Sequence, residues 1–187
     1  METVFNYHNI FLIAHIFGVA IGAGGAFAGD ILFFSSIKDK HISRTESRFL
    51  GVTSKMIWFG ILILLISGVG LVWLKPETFL FSGKFWAKMT VVGVIIANGI
   101  VFHFRHIPML RRSYIEEFSE AHELVKNRIW ILISGAVSVV SWSYAIVLGV
   151  LRKTPFGYVD FISVYLLLLL IAVSVALLLR KKIIPSK

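Results

Sequence analysis

Cysteine is absent from this sequence, and acidic residues are scarce. The 187 residues include no Cys and only 10 Asp and Glu, against 19 Lys and Arg. Without thiols the chain forms no disulfide and offers no thiolate to a zinc ion, an iron–sulfur cluster or a nucleophilic mechanism. Nitrogen and oxygen atoms are the ligands that remain for a metal.

The excess of basic residues gives a formal net charge of +9. Lys and Arg stand in short segments that flank apolar runs, so the charge indicates membrane topology and not nucleic-acid binding. The chain is 57% hydrophobic with a mean hydropathy of +0.84, well above what a soluble domain of this length needs for one core. The predicted solvent for most of the chain is a lipid bilayer.

Five apolar stretches have the length of about 20 residues that crossing a bilayer requires. The first is too long for the apolar region of a signal peptide, so it is predicted to be a transmembrane helix. The sequence therefore predicts an all-α integral membrane helical bundle of about five transmembrane helices, in a single domain over 1–187. The predicted spans are 9–35, 56–74, 86–107, 129–151 and 159–179.

The basic residues are distributed unevenly between the two ends of these spans. If the N-terminus is outside, 14 Lys and Arg lie in the inner segments and 5 in the outer segments. Basic residues near helix ends accumulate on the cytoplasmic side. The sequence predicts a protein of a bacterial-type inner membrane, with its N-terminus outside and its C-terminus in the cytoplasm.

The first span carries four glycines, Gly18, Gly22, Gly25 and Gly29, spaced as two small-xxx-small patterns. Small residues let another helix approach the backbone closely, and a flat cofactor would use the same space. Both interpretations remain open at the level of the sequence.

Ionisable residues inside hydrocarbon are costly, so they mark either function or a tight structural pair. At 1.5 Å per residue, His15 and Asp30 lie about 22 Å apart along the first helix, as do Lys88 and His103 along the third. Both helices run in the same direction across the membrane. We therefore expect His15 beside Lys88 in the outer half, and Asp30 beside His103 and His106 in the inner half.

In the outer half, a neutral imidazole on a glycine-rich helix suits axial ligation of haem iron, which makes His15 a candidate ligand. Lys88 would pair with a haem propionate or act as a second ligand. The alternative is that His15 forms a hydrogen bond to a neighbouring helix while Lys88 extends its ammonium group to the membrane surface.

In the inner half, His103 and His106 stand three residues apart, a spacing at which two imidazoles reach one metal ion. Asp30 and Glu46 would complete a nitrogen and oxygen site for Zn, Mn, Fe or Cu. The alternative is structural, with His106 at the headgroups and Asp30 in an ion pair with Arg105.

Two short motifs resemble a known family. They are Ala14-His15-Ile16-Phe17-Gly18 in the first helix and Phe85-Trp86-Ala87-Lys88-Met89 at the start of the third. The chain is similar over about its first 110 residues to membrane protoporphyrinogen IX oxidases of the HemJ type and to CopD-like haem proteins. The resemblance implies that His15 is a haem ligand and that Lys88 is required for function.

The leading hypothesis is a haem b-binding membrane redox protein that transfers electrons or, as an oxidoreductase, oxidises a hydrophobic substrate such as a porphyrinogen or quinol. The second is a non-haem metal-binding membrane protein, either a transporter, a sensor or a metal-dependent enzyme, that uses the inner Asp, Glu and His residues. A third is an accessory subunit whose polar residues only hold helices together. The expected partners are the bilayer and a quinone or porphyrin, and a homo-oligomer is compatible with the sequence.

Overall fold

The computed structural model describes residues 6–38, 43–106, 108, 120–151 and 154–180. These residues are almost entirely helical, and none of them forms a strand. The helices are α1 (Tyr7–Lys38), α2 (Arg44–Leu74), α3 (Pro76–Leu80), α4 (Gly83–Val101) with a π-helical turn after it (Phe102–His106), α5 (Glu120–Val150) and α6 (Tyr158–Leu178).

Five of these helices are long and apolar enough to cross a membrane, and the short α3 connects α2 to α4. The predicted all-α membrane bundle is therefore confirmed. Large apolar side chains cover its outside, such as Leu166, Leu170 and Ile171 on α6. In water this surface would be unfavourable, whereas in a bilayer it contacts lipid chains.

The helix α2 begins at Arg44, well before the predicted span at 56. A capping box fixes this start, because Ser43 accepts from the Glu46 amide over 3.2 Å and Glu46 accepts from the Ser43 amide over 2.7 Å. These contacts satisfy two amide groups that a helix N-terminus otherwise leaves unpaired. Residues 44–55, which precede the predicted span, are thus part of the same helix.

The glycines of α1 form a contact surface for α2. A Cβ atom at Gly18 would lie 3.0 Å from the Leu64 backbone nitrogen, and one at Gly60 of α2 would meet the Gly22 backbone. Gly22 also faces the Trp142 ring of α5, which a Cβ atom would approach to 2.5 Å. The helix-to-helix interpretation of the glycine pattern is the one that the structure supports.

Hydrogen bonds between side chains join α5 to α6. Tyr144 donates to the Phe161 carbonyl over 2.6 Å, and the Ser141 and Tyr165 hydroxyls lie 2.8 Å apart. The two tyrosine rings stack with their centroids 5.3 Å apart. These hydrogen bonds pair the buried hydroxyl groups of the two helices and fix α5 against α6. Other residues of α5 line the cavities described next.

Candidate functional site

A cavity of about 370 Å³ lies among α1, α2, α4 and α5, and we refer to it as the His15 cavity. It brings together His15 of α1 and Lys88 of α4, as their matched depths predict. Its volume falls in the range of about 300–1,000 Å³ that is usual for small-molecule and cofactor sites. Its other lining residues are apolar or glycine: Val19, Ile61, Leu64, Leu65, Gly68, Val69, Val72, Trp73, Phe85, Met89, Val92, Ile95, Trp142 and Ala145.

The His15 ring is oriented by a serine of the neighbouring helix. His15 Nδ1 lies 3.0 Å from Ser67 Oγ, and Ser67 Oγ donates its proton to the Ile63 carbonyl over 2.6 Å. Since a hydroxyl has one proton, Ser67 must accept from an N–H at His15 Nδ1. A neutral ring then has no hydrogen on Nε2, and its lone pair is the one that a metal would use.

Gly68 makes room for this arrangement. A Cβ atom at Gly68 would lie only 3.7 Å from His15 Cε1, so any larger side chain would extend into the space beside the ring. Ser67 is 2% exposed, which keeps its hydroxyl out of contact with solvent. Together, Ser67 and Gly68 fix the orientation of the imidazole and preserve the volume beside it.

Lys88 is the one cation among the residues that line the His15 cavity. Its ammonium group reaches towards α5, where a Cβ atom at Gly149 would lie 3.5 Å from Nζ. Lys88 is half-buried, and no carboxylate of the described residues is paired with it. A partly buried cation without a counter-charge favours an anionic partner.

The His15 cavity reaches the outer surface of the bundle between α2 and α4. Four residues that line it are also exposed: Leu65 by 44%, Val69 by 66%, Trp73 by 83% and Met89 by 37%. In a bilayer this opening faces lipid, so an apolar molecule could enter without crossing water. Met89 also places a thioether sulfur at the cavity. Thioethers are known haem ligands, so the prediction that only nitrogen and oxygen ligands remain was too narrow.

A second cavity, of about 40 Å³, lies among the same four helices, and we refer to it as the Asp30 cavity. Asp30 Oδ2 is buried and has no hydrogen-bond partner among the described residues. Ile95 and Trp142 line both cavities, so they form a common wall. The polar residues that line the Asp30 cavity are Asp30, Thr53, Ser54, Asn98, Ser134 and Ser138.

The other predicted metal ligands are spread over several places. Glu46 caps α2, and exposed His103 lies on the π-helical turn with Nδ1 3.2 Å from Ser54 Oγ. Neither of them lines the Asp30 cavity, and the side chain of His106 lies outside the described residues. In the part of the chain that the structure describes, no three His, Asp or Glu side chains converge on one point.

Three residues next to His15 or Lys88 were not predicted as site residues from the sequence: Ser67, which contacts the His15 ring, and Gly68 and Met89, which line the His15 cavity. A signal exists for the first two, because they interrupt an otherwise apolar run in α2. Polar and small residues inside a membrane helix usually mark a contact with another helix. Nothing in the sequence indicates that this contact is with His15.

The fold defines a class, an integral membrane bundle with five candidate spans and two unlike cavities between its helices. Comparisons of the chain with protein-family models, with curated proteins and with solved structures gave no match. The resemblance to the protoporphyrinogen oxidase family thus remains a prediction that depends on two motifs.

Proposed function

We propose that this protein is a haem b-binding membrane redox protein, with His15 as a ligand of the haem iron. One observation carries the proposal: His15 and Lys88 line the same apolar cavity, and the hydrogen bond to Ser67 leaves His15 Nε2 without a hydrogen. An oriented, neutral imidazole in an apolar cavity is the usual setting for haem ligation.

The residues present fit such a group. A porphyrin is a flat apolar ring with two carboxylates, and the cavity pairs apolar walls with the single lysine Lys88. Lys88 would bind a propionate through a charge-assisted hydrogen bond. Alternatively, Lys88 or Met89 would supply a second ligand to the iron. When bound, haem supplies one-electron redox chemistry at a potential set by its ligands and by the apolar surroundings.

The substrate that we propose is hydrophobic, either a quinol or a porphyrinogen, with electron transfer to a partner as the simplest activity. The opening between α2 and α4 supports this choice, because Val69 and Trp73 lie on a path from lipid to the His15 cavity. This would make the protein an oxidoreductase whose substrate enters from within the bilayer.

The proposal includes a location and a topology. The basic residues favour a bacterial-type inner membrane with the N-terminus outside, which puts His15 in the outer half and Asp30 in the inner half. The apolar outer surface of α6 suits lipid and would equally suit contact between two copies of the chain. The proposal therefore includes a homo-oligomer in which two copies of the chain contact each other through α6.

The experiment is a titration of the detergent-purified protein with haemin, followed by absorption spectroscopy, beside two variants. We expect one haem per chain for the wild type, loss of binding in His15→Ala, and unchanged binding in His103→Ala, the matched control at the other end of the bundle. Equal binding by the two variants would contradict the proposal. Metal analysis of the same sample separates haem iron from a non-haem metal, which is the second hypothesis.

A further inference from the structure

Hydroxyl groups around the Asp30 cavity already donate their only proton to a neighbouring atom. Thr53 Oγ1 donates to the Leu50 carbonyl over 3.0 Å, and Ser134 Oγ donates to Asn98 Oδ1 over 2.9 Å. Asn98 Nδ2 in turn donates to the Ser134 carbonyl over 3.0 Å. Each of these hydroxyl oxygens keeps a lone pair, but no hydrogen, for anything else in the cavity.

Asp30 increases this excess of acceptors. Ser138 forms a hydrogen bond with its side chain and must be the donor when the carboxylate is ionised. The other carboxylate oxygen, Oδ2, is buried without a hydrogen-bond partner among the described residues. The hydrogens left unassigned are the second amide hydrogen of Asn98, the indole N–H hydrogens of Trp58 and Trp142, and the hydroxyl hydrogen of Ser54, whose oxygen lies 3.2 Å from His103 Nδ1.

The cavity also has an unbalanced charge. Asp30 is the one ionisable side chain among the described residues that line it, and the lining residues of α2, α4 and α5 are uncharged. An ionised carboxylate at this depth in a membrane protein is costly unless a cation lies beside it. A cavity with one unpaired carboxylate oxygen, several hydroxyl lone pairs and no cation among its described lining residues therefore favours a bound cation.

We propose that the Asp30 cavity binds one sodium ion, with Asp30 Oδ2 as the charged ligand and the Thr53, Ser134 and Ser138 hydroxyl oxygens as neutral ligands. A volume of about 40 Å³ accommodates the ion with one or two waters, since each water needs about 10–15 Å³. A proton on Asp30 would neutralise the carboxylate but would leave the hydroxyl lone pairs without a partner. A sodium ion interacts with all of them at once.

The proposed ligands also favour sodium over other metal ions. Oxygen atoms suit hard cations better than transition metals. One carboxylate balances one positive charge, whereas calcium sites use several carboxylates and magnesium retains several waters. The small volume favours sodium over the larger potassium ion. This inference does not depend on haem, because its site is separate from the His15 cavity.

The test is the melting temperature of the detergent-purified protein as NaCl replaces choline chloride at constant ionic strength, with KCl in parallel. A ligand that binds only the folded state raises the melting temperature in a saturable way. We expect such a rise with sodium, a much smaller rise with potassium, and no response to sodium in Asp30→Asn. The control Glu77→Gln removes an exposed carboxylate on α3 and should respond as the wild type does.

A second variant keeps the test decisive if Asp30→Asn does not fold. Ser138→Ala removes one neutral ligand and should weaken the apparent sodium affinity by about tenfold, the equivalent of one hydrogen bond to a charged group. The proposal is overturned if NaCl, KCl and choline chloride give the same melting temperature, or if Ser138→Ala binds sodium as the wild type does. A melting temperature that responds to pH alone would show a proton site and would also overturn it.

Discussion

The two cavities are formed by the same four helices, yet they differ in volume and in the polarity of their walls. The His15 cavity is about 370 Å³ and almost entirely apolar, whereas the Asp30 cavity is about 40 Å³ and has a carboxylate, an amide and several hydroxyl groups among its apolar walls. Both cavities lie beside the close contact between α1 and α2, where a Cβ atom at Gly29 would lie 3.1 Å from Thr53 Oγ1 and one at Gly18 would lie 3.0 Å from the Leu64 nitrogen. The extra volume near His15 lies between α2 and α4, whose residues form most of that cavity's lining.

The largest expected effect comes from filling the wider cavity. Gly68→Leu would place a branched side chain beside the His15 ring, where a Cβ atom is already 3.7 Å from Cε1. We expect this variant to lose haem binding, because the leucine side chain would occupy the space that the porphyrin needs. Crowding against the His15 ring would also lower the free energy of unfolding by about 1–3 kcal/mol. Haemin titration measures the loss.

Its matched control is Gly93→Leu on α4, since a Cβ atom at Gly93 meets nothing within 4 Å. That variant should bind haem normally, and circular dichroism should show helix content unchanged in both. Normal haem binding by Gly68→Leu would mean that the His15 cavity is not the haem site.

A smaller effect is expected from the residue that orients His15. Ser67→Ala removes the acceptor of the Nδ1 hydrogen, leaving the ring free to rotate or to change tautomer. Loss of such a supporting contact weakens metal binding by about 10- to 100-fold. Haemin affinity should fall by that factor while one haem per chain still binds at saturation.

The control for this variant is Ser143→Ala, which alters an exposed serine on α5. It should leave haemin affinity at the wild-type value. If Ser67→Ala and Ser143→Ala behave alike, His15 has a role that does not depend on its orientation.

The smallest effect tests whether the two cavities act independently. Asp30→Asn changes the Asp30 cavity but leaves the common wall of Ile95 and Trp142 in place. Because Asp30 does not line the His15 cavity and Asn has nearly the same size, we expect the two sites to behave as independent ones, with haemin affinity within about twofold, or about 0.5 kcal/mol. A larger change, measured in the same titration, would show that the cavities are coupled through Trp142.

Much of the fold could be predicted from the sequence. Transfer of an apolar stretch into lipid depends on its composition and length, and both can be read from the sequence. All five long helices were predicted on this basis. The alignment of His15 with Lys88 also follows, because helical rise and the direction of each span fix depth.

The order of the helices around the bundle could not be predicted in this way. Hydropathy indicates that a helix is in the membrane, and it does not indicate its neighbours, since lipid and a second helix are equally apolar. The contact between Ser67 and His15, and that between His103 and Ser54, depend on this order. The hydroxyl-rich surroundings of Asp30 come from α2 and α5 and are visible only in three dimensions.

The measurement that tests the central claim most directly is the difference between the dithionite-reduced and oxidised absorption spectra of the protein as purified from its membrane. The account predicts a Soret band with sharp α and β bands in the reduced form, typical of a b-type cytochrome, and their loss in His15→Ala. A flat visible spectrum that added haemin does not change would contradict it.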